Sequence, residues 1–188
     1  GLQSDVSYGR FPNATGAFTF FLPATPNALN NSTTYAEVLS EPVFSQNSGF
    51  YTSGFNLSLS SAEIGTTIIY TLDGSEPNEN NLAGTTYSYK VQYPELPGQA
   101  FGSLLQFSFT SLQYGTPIPI VDRSSEVNKI STISTTWDFI PPYIPNGPIF
   151  KGTVVKAKVI KPGALTSPTV TKNYFISPQG INRFTLPV

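Results

Sequence analysis

The chain contains no cysteine, no histidine and no methionine. Without cysteine there is neither a disulfide framework nor a thiolate metal site, although export of a bacterial domain does not require one. Without histidine, the usual general base at neutral pH and the commonest metal ligand are both missing. The lack of methionine extends to position 1, where Gly1 stands, so the chain reads as a piece of a longer polypeptide. A signal peptide would then lie outside it. Charge is scarce: Lys, Arg, Asp and Glu make up 11% of the residues, against about 25% in a typical globular chain. The net charge of −1 gives no electrostatic case for nucleic acid or an anionic membrane surface. No apolar run approaches the roughly 18–20 residues of a membrane span.

In place of charge the chain has 13% aromatics, 17 prolines and 15 glycines, with abundant Thr, Ser and Asn, the composition of an all-β extracellular module. Its 188 residues suffice for one good-sized domain, or for one domain with attached arms. Period-two patterning recurs. Phe55, Leu57 and Leu59 alternate with Asn56 and Ser58; Val155, Ala157 and Val159 oppose Lys156 and Lys158; Val170, Tyr174 and Ile176 share one side of a last strand. Short strands with turn signals between them, and no sustained helical period, favour a sandwich over a barrel or an α/β fold.

Ile68 to Pro77 is the most informative stretch. Ile68, Tyr70 and Leu72 alternate onto one face of a half-buried strand, which stops at Asp73-Gly74. Gly74 tolerates positive φ, the Asp73 carboxylate accepts from backbone N–H groups just beyond it, and Pro77 opposes a return to a ladder. Tyr70, Asp73, Gly74 and Pro77 thus form a structural turn motif. This stretch resembles the signature of the chitobiase/β-hexosaminidase C-terminal domain family. The resemblance implies a non-catalytic, immunoglobulin-like sandwich appended to a larger extracellular protein. Further along come Pro117-Ile118-Pro119-Ile120-Val121-Asp122-Arg123, Asn128-Lys129-Ile130-Ser131 and Phe150 to Ala157. Their order is similar to the module that precedes the kinase domain of CotH-type proteins, and Ile181 to Val188 is similar to the start of that downstream domain.

The expected fold is all-β: an immunoglobulin/fibronectin-III-like β-sandwich over 37–178, with a long crossover insertion at about 88–148 and an N-terminal extended arm over 1–36. Residues 179–188 read as a linker to a further domain. Within the sandwich, Ser48 to Tyr51 reads as a turn. Prolines at 117 and 119 argue against a central strand at 117–121. In the arm, two short extended pieces flank a turn, and Thr25 to Asn31 reads as a linker. Tyr8-Gly9-Arg10-Phe11-Pro12 followed by Ala24-Thr25-Pro26-Asn27-Ala28-Leu29-Asn30 resembles the trailing edge of a lamin-tail domain. Alternatively, the arm pairs with an edge of the main sandwich.

No residue set supports catalysis. Asp73 and Glu76 are read as a turn carboxylate and a solvated neighbour rather than an acid/base or metal pair. Asp122-Arg123 forms a surface ion pair or a loop-ordering contact. Serine is plentiful but lacks a histidine base, and neither a nucleophile elbow nor a phosphate loop is present. The sequence thus implies no enzyme, no cofactor and no metal. Trp137, Tyr143, Tyr93 and Tyr51 are the candidate carbohydrate-binding residues, because sugar stacking needs a flat apolar face with a wet edge. Phe44, Phe55, Tyr70, Phe150 and Tyr174 read as core. Lys151, Lys156, Lys158, Lys161 and Lys172 read as a solvated sheet face. Asn13, Asn31 and Asn56 each open an Asn-x-Ser/Thr match, a pattern common by chance in such a composition. The reading that follows is a structural spacer in an exported or cell-surface bacterial protein, partnered by neighbouring domains of the same polypeptide. The alternatives are a carbohydrate-binding module for polysaccharide and an accessory segment of a downstream CotH-type kinase domain.

Overall fold

The structure, a computed structural model, describes residues 3–90, 104–128 and 147–184. Among them the chain forms strands β1 (Ser7–Phe11), β2 (Ala17–Leu22), β3 (Thr33–Tyr35), β4 (Val43–Phe44), β5 (Gly49–Tyr51), β6 (Phe55–Leu57) and β7 (Leu59–Ser60). There follow β8 (Thr67–Thr71), β9 (Thr85–Lys90), β10 (Leu104–Phe109), β11 (Leu112–Gln113), β12 (Ile118–Ile120), β13 (Thr153–Ile160) and β14 (Val170–Ile176). No α-helix occurs among the described residues, and no helix there is long and apolar enough to cross a membrane.

One layer is a five-stranded sheet in the order β11-β8-β13-β14-β5, antiparallel except for the parallel β14–β5 pair. β13 lies at its centre because its sequence alternates strictly. Val155, Ala157 and Val159 are fully buried, whereas Lys156 and Lys158 occupy the other face. The register sets Ala157 opposite Tyr70 and Val159 opposite Ile68, so β8 turns the same side inward. The second layer consists of the β4–β7 and β6–β12 pairs. Leu57, Leu59, Ile118 and Ile120 from this layer meet Val155, Ala157, Val159, Tyr174 and Ile176 in one core. Burying each such aliphatic side chain contributes about 1.5–3 kcal/mol.

Several expectations change in detail. The strand ending at Asp73 is not half-buried: Ile69 and Thr71, on the outer face, are fully buried as well. The chain returns across that face after the turn, where Glu76 meets Lys156, the cross-strand partner of Thr71. Ser48 to Tyr51 is not merely a turn, since Gly49–Tyr51 is β5, held by parallel pairing with the distant β14. The region expected as an insertion at about 88–148 is interrupted by two pieces of the sandwich. Leu112–Gln113 pairs with β8, and Ile118–Ile120 pairs with β6. β12 tolerates Pro119 because, among the described residues, it has a ladder partner on one side only. What protrudes is the β9–β10 hairpin, registered from Thr85↔Phe109 to Lys90↔Leu104. Its base is stitched to the 3₁₀ turn Glu79–Asn81: Asn81 Nδ2 donates to Phe109 O at 3.2 Å and Ser111 N donates to Asn81 O at 3.1 Å.

The arm forms a sheet of its own, β1-β2-β3, rather than adding a strand to the sandwich edge. The segment expected as a linker, Thr25 to Asn31, is the β2–β3 loop. Asn30 folds it back onto the hairpin, donating from N to Asn13 Oδ1 and from Nδ2 to Arg10 O. Phe150 leaves the core and joins the outer face, where it lies near Phe175 and Phe184. The lysines do not form one basic face: Lys161 pairs with Glu37 and Lys156 with Glu76, while Lys172 shares the inward side of the sheet opposite Val155.

Tyr174 is fully buried, and its hydroxyl donates to Gln46 O at 3.0 Å. Burial, with a smaller contribution from Tyr51, pushes its phenol up to about 12. An unfolded tyrosine ionises near 10, so between about pH 10 and 12 the native state keeps a proton that the unfolded state has lost. The stability contributed here is intact below about pH 10 and declines as pH rises towards 12. Phenolate absorbance of the folded protein, compared with Tyr174→Phe, is expected to differ by one tyrosine titrating near the upper value. Ionisation of Tyr174 near 10 would contradict the buried setting.

Candidate functional site

The turn after β8 builds one wall of a surface concavity. Thr71, fully buried, donates its hydroxyl to Ser75 O at 2.6 Å. Asp73 Oδ1 accepts from Ser75 N at 2.9 Å and from Ser75 Oγ at 2.5 Å, closing an Asx turn. Gly74 sits at φ +84° with open space around it, and Pro77 is fully buried beneath. The turn is tied to distant chain: Asp73 bridges Val154, Glu76 accepts from Lys156 Nζ at 3.5 Å and from the Thr169 hydroxyl, and Asn78 N donates to Ser111 Oγ at 2.8 Å. Glu76 is solvent-exposed, as expected of a neighbour of the turn, and also anchors it through these two contacts.

Beside this turn lies an open cleft of about 1010 Å³. Leu72 and Asp73 supply one side, Phe107 and Leu112 the next, the 123–127 loop a third, and the run from Ile149 to Val154 the last. The loop carries its own turn: Asp122 Oδ1 accepts from Ser124 N at 2.8 Å and Ser124 Oγ at 2.5 Å. These bonds, that of the Ser124 side chain above all, lower the Asp122 pKa. Arg123 does not pair with Asp122. It donates twice to Glu126, from Nε at 2.9 Å and from Nη2 at 2.7 Å. Lys151 Nζ donates to three carbonyls, Ser124 at 3.3 Å, Glu126 at 2.9 Å and Ile149 at 3.1 Å, so one ammonium group staples the loop to the approach of β13. Asn128 Nδ2 donates to Gly147 O at 3.0 Å, while its Oδ1 is buried without a hydrogen-bond partner among the described residues.

Of the four aromatics proposed for carbohydrate, Trp137, Tyr143 and Tyr93 lie outside the described residues. Tyr51 lies on β5, away from the cleft, with its ring 4.7 Å from Phe55 and its hydroxyl donating to Asn47 O at 2.7 Å. Sequence reasoning put Lys151 on a solvated sheet face and missed its role, which needs carbonyls from two segments, the 123–127 loop and Ile149. It also missed the Arg123–Glu126 pair, which the three-residue spacing could have suggested. A third missed feature is the outer aromatic cluster. Phe175 stacks on Phe50 at 5.0 Å, Phe184 of the 3₁₀ turn Gly180–Phe184 meets Phe50 at 5.3 Å, and the Arg183 guanidinium lies 4.3 Å above Phe150. Gly152 makes room for Phe175, since a Cβ there would fall 2.6 Å from the Phe175 ring. The alternation of Tyr174-Phe175-Ile176 was the available signal. Among the described residues no group of three or more His, Cys, Asp or Glu side chains could hold a metal ion.

Gly74→Val forces a β-branched residue into the left-handed region and is expected to cost about 1–3 kcal/mol, seen as a lower melting temperature. Gly74→Asn is expected to cost less, because Asn tolerates that conformation. Equal melting of the Val variant and the parent chain would refute this account of the turn.

The described geometry is that of two β-layers around one core, with the β9–β10 hairpin and the cleft at one end. A family model described as Fn3 associated matches residues 57–174. No curated protein and no solved structure matches the chain. The matched span opens at Leu57 on β6 and ends at Tyr174 on β14, both fully buried, and so takes in most of both layers, without β4 and β5, and the cleft. With more than half of its residues inside that span, the chain belongs to the Fn3-associated family, as an immunoglobulin/fibronectin-III-like β module.

Proposed function

We propose that this module is a non-catalytic spacer in a multidomain exported or cell-surface bacterial protein, setting the relative orientation of neighbouring domains of the same polypeptide. The observation that carries this reading is how the start of the arm and the junction between arm and sandwich, residues 36–39, are tied to the 161–166 stretch. Ala36 N donates to Gly163 O at 3.2 Å, Leu165 N to Glu37 O at 2.9 Å, and Leu39 N to Leu165 O at 3.0 Å. Glu37 pairs with Lys161 at 2.7 Å, and Gln3 Nε2 donates to Thr166 O at 3.0 Å. A flexible linker makes no such ladder. At the other end, the 3₁₀ turn Gly180–Phe184 rests on Phe50 and Phe150, and Ser177 N donates to Tyr51 O at 3.0 Å. Chain on either side of the sandwich thus enters and leaves in a defined direction. Membership of the Fn3-associated family supports an accessory rather than a catalytic role. The ordered resemblance to the module preceding CotH-type kinase domains supports a setting among several domains.

The chain has no cysteine, so two introduced ones provide unique sites for spin labels. Labels at Thr15→Cys in the arm and Ser60→Cys in the sandwich are expected to give one narrow distance distribution by pulsed electron resonance. Adding Ala36→Pro and Lys161→Ala, which remove one ladder donor and the ion pair, is expected to broaden it. A broad distribution before those changes would sink the spacer reading.

A further inference from the structure

The cleft beside the Asp73 turn is larger than a fixed spacer requires. Its volume of about 1010 Å³ is at the upper end of small-molecule sites, which run to about 1,000 Å³. Its walls mix two kinds of surface. Leu72, Leu112, Val127 and Val154 are apolar, with Val127 standing 78% exposed at the rim. Asp73, Ser108, Thr110 and Ser125 bring carboxylate and hydroxyl oxygens to the same walls. The charges balance: Arg123 and Lys151 against Asp73 and Glu126. Both cations are already engaged, Arg123 by the two oxygens of Glu126 and Lys151 by three carbonyls. An anionic ligand would have to displace those bonds. Asp73 uses only Oδ1 in its turn, and its Oδ2 makes no hydrogen bond among the described residues.

We propose that this cleft binds a neutral oligosaccharide. A pyranose ring offers an apolar C–H face and a rim of hydroxyls, matching aliphatic walls interleaved with oxygen acceptors and no available cation. The ligand's C–H faces lie against Leu112, Val127 and Val154, and its hydroxyls donate to Asp73 and Ser125. The volume calls for several rings rather than one. Lys151 acts as a positioning residue, holding the 123–127 loop at the height that makes the groove. Tyr51 does not line this site, and its occupancy is independent of the spacer role.

Calorimetric titration of the chain with cellohexaose, xylohexaose and chitohexaose tests the proposal, with a galacturonate hexamer as the anionic control. At least one neutral hexasaccharide is expected to bind, and the galacturonate hexamer is not. Val127→Ser at its exposed position and Asp73→Asn, which keeps Oδ1 for the turn, are each expected to weaken binding by about tenfold without moving the melting temperature. The assignment is overturned if no neutral hexasaccharide binds or if the galacturonate hexamer binds as tightly. It is equally overturned if both cleft variants bind as tightly as the unaltered chain.

Discussion

The register of β13 between β8 and β14 is the constraint on which the other features depend. Its inward residues Val155, Ala157 and Val159 are fully buried, so a slip of one position would drive Lys156 and Lys158 into the core. That fixed register sets the positions of the outward residues and of both flanks. Lys156 meets Glu76 and Val154 bridges Asp73, which holds the turn after β8. Gly152 leaves the space that Phe175 fills, and Lys151 pins the 123–127 loop. Beyond the other end, Lys161 reaches Glu37 at the base of the arm. Turn, cleft, aromatic face and arm are thus all indexed to one strand.

A chain with so few charges uses them sparingly and over long sequence distances. Glu37–Lys161 and Glu76–Lys156 each join segments far apart in sequence, whereas Arg123–Glu126 is local. All three are partly exposed, and such pairs contribute about 0–1 kcal/mol each. Their effect is orientation: they select how an already stable sandwich holds its turn and its arm. The stability itself comes from the aliphatic and aromatic core. The backbone of the turns is satisfied locally, by the same Asp-x-Ser geometry at Asp73–Ser75 and Asp122–Ser124.

The outer aromatic face follows a different logic. Phe50, Phe150, Phe175 and Phe184 come from four segments and lie on the side of the sheet away from the core. Phe50 and Phe184 keep 41% and 55% of their surface exposed, so the cluster is a surface latch for the 3₁₀ turn rather than a second core. Arg183 over Phe150 adds a cation–π contact of about 0.5–1 kcal/mol at such an exposed site.

The amino-acid sequence by itself determined the all-β class, the faces of the strands at 55–59, 153–160 and 170–176, and the position of the Asp73-Gly74 turn. Each of these is written in alternation or in turn chemistry within a few neighbouring residues. Only the tertiary structure decided the rest. Ser48 to Tyr51 became a strand because β14, more than a hundred residues away, offers it an edge. The expected insertion yielded β11 and β12 because β8 and β6 had unpaired sides to fill. The arm became a sheet of its own because β1, β2 and β3 satisfy one another, and Phe150 left the core because Phe175 and Phe184 meet it outside. The cleft has no motif at all. It arises where four stretches of chain converge on the β13 register, and convergence of that kind depends on packing between residues that local spacing does not relate.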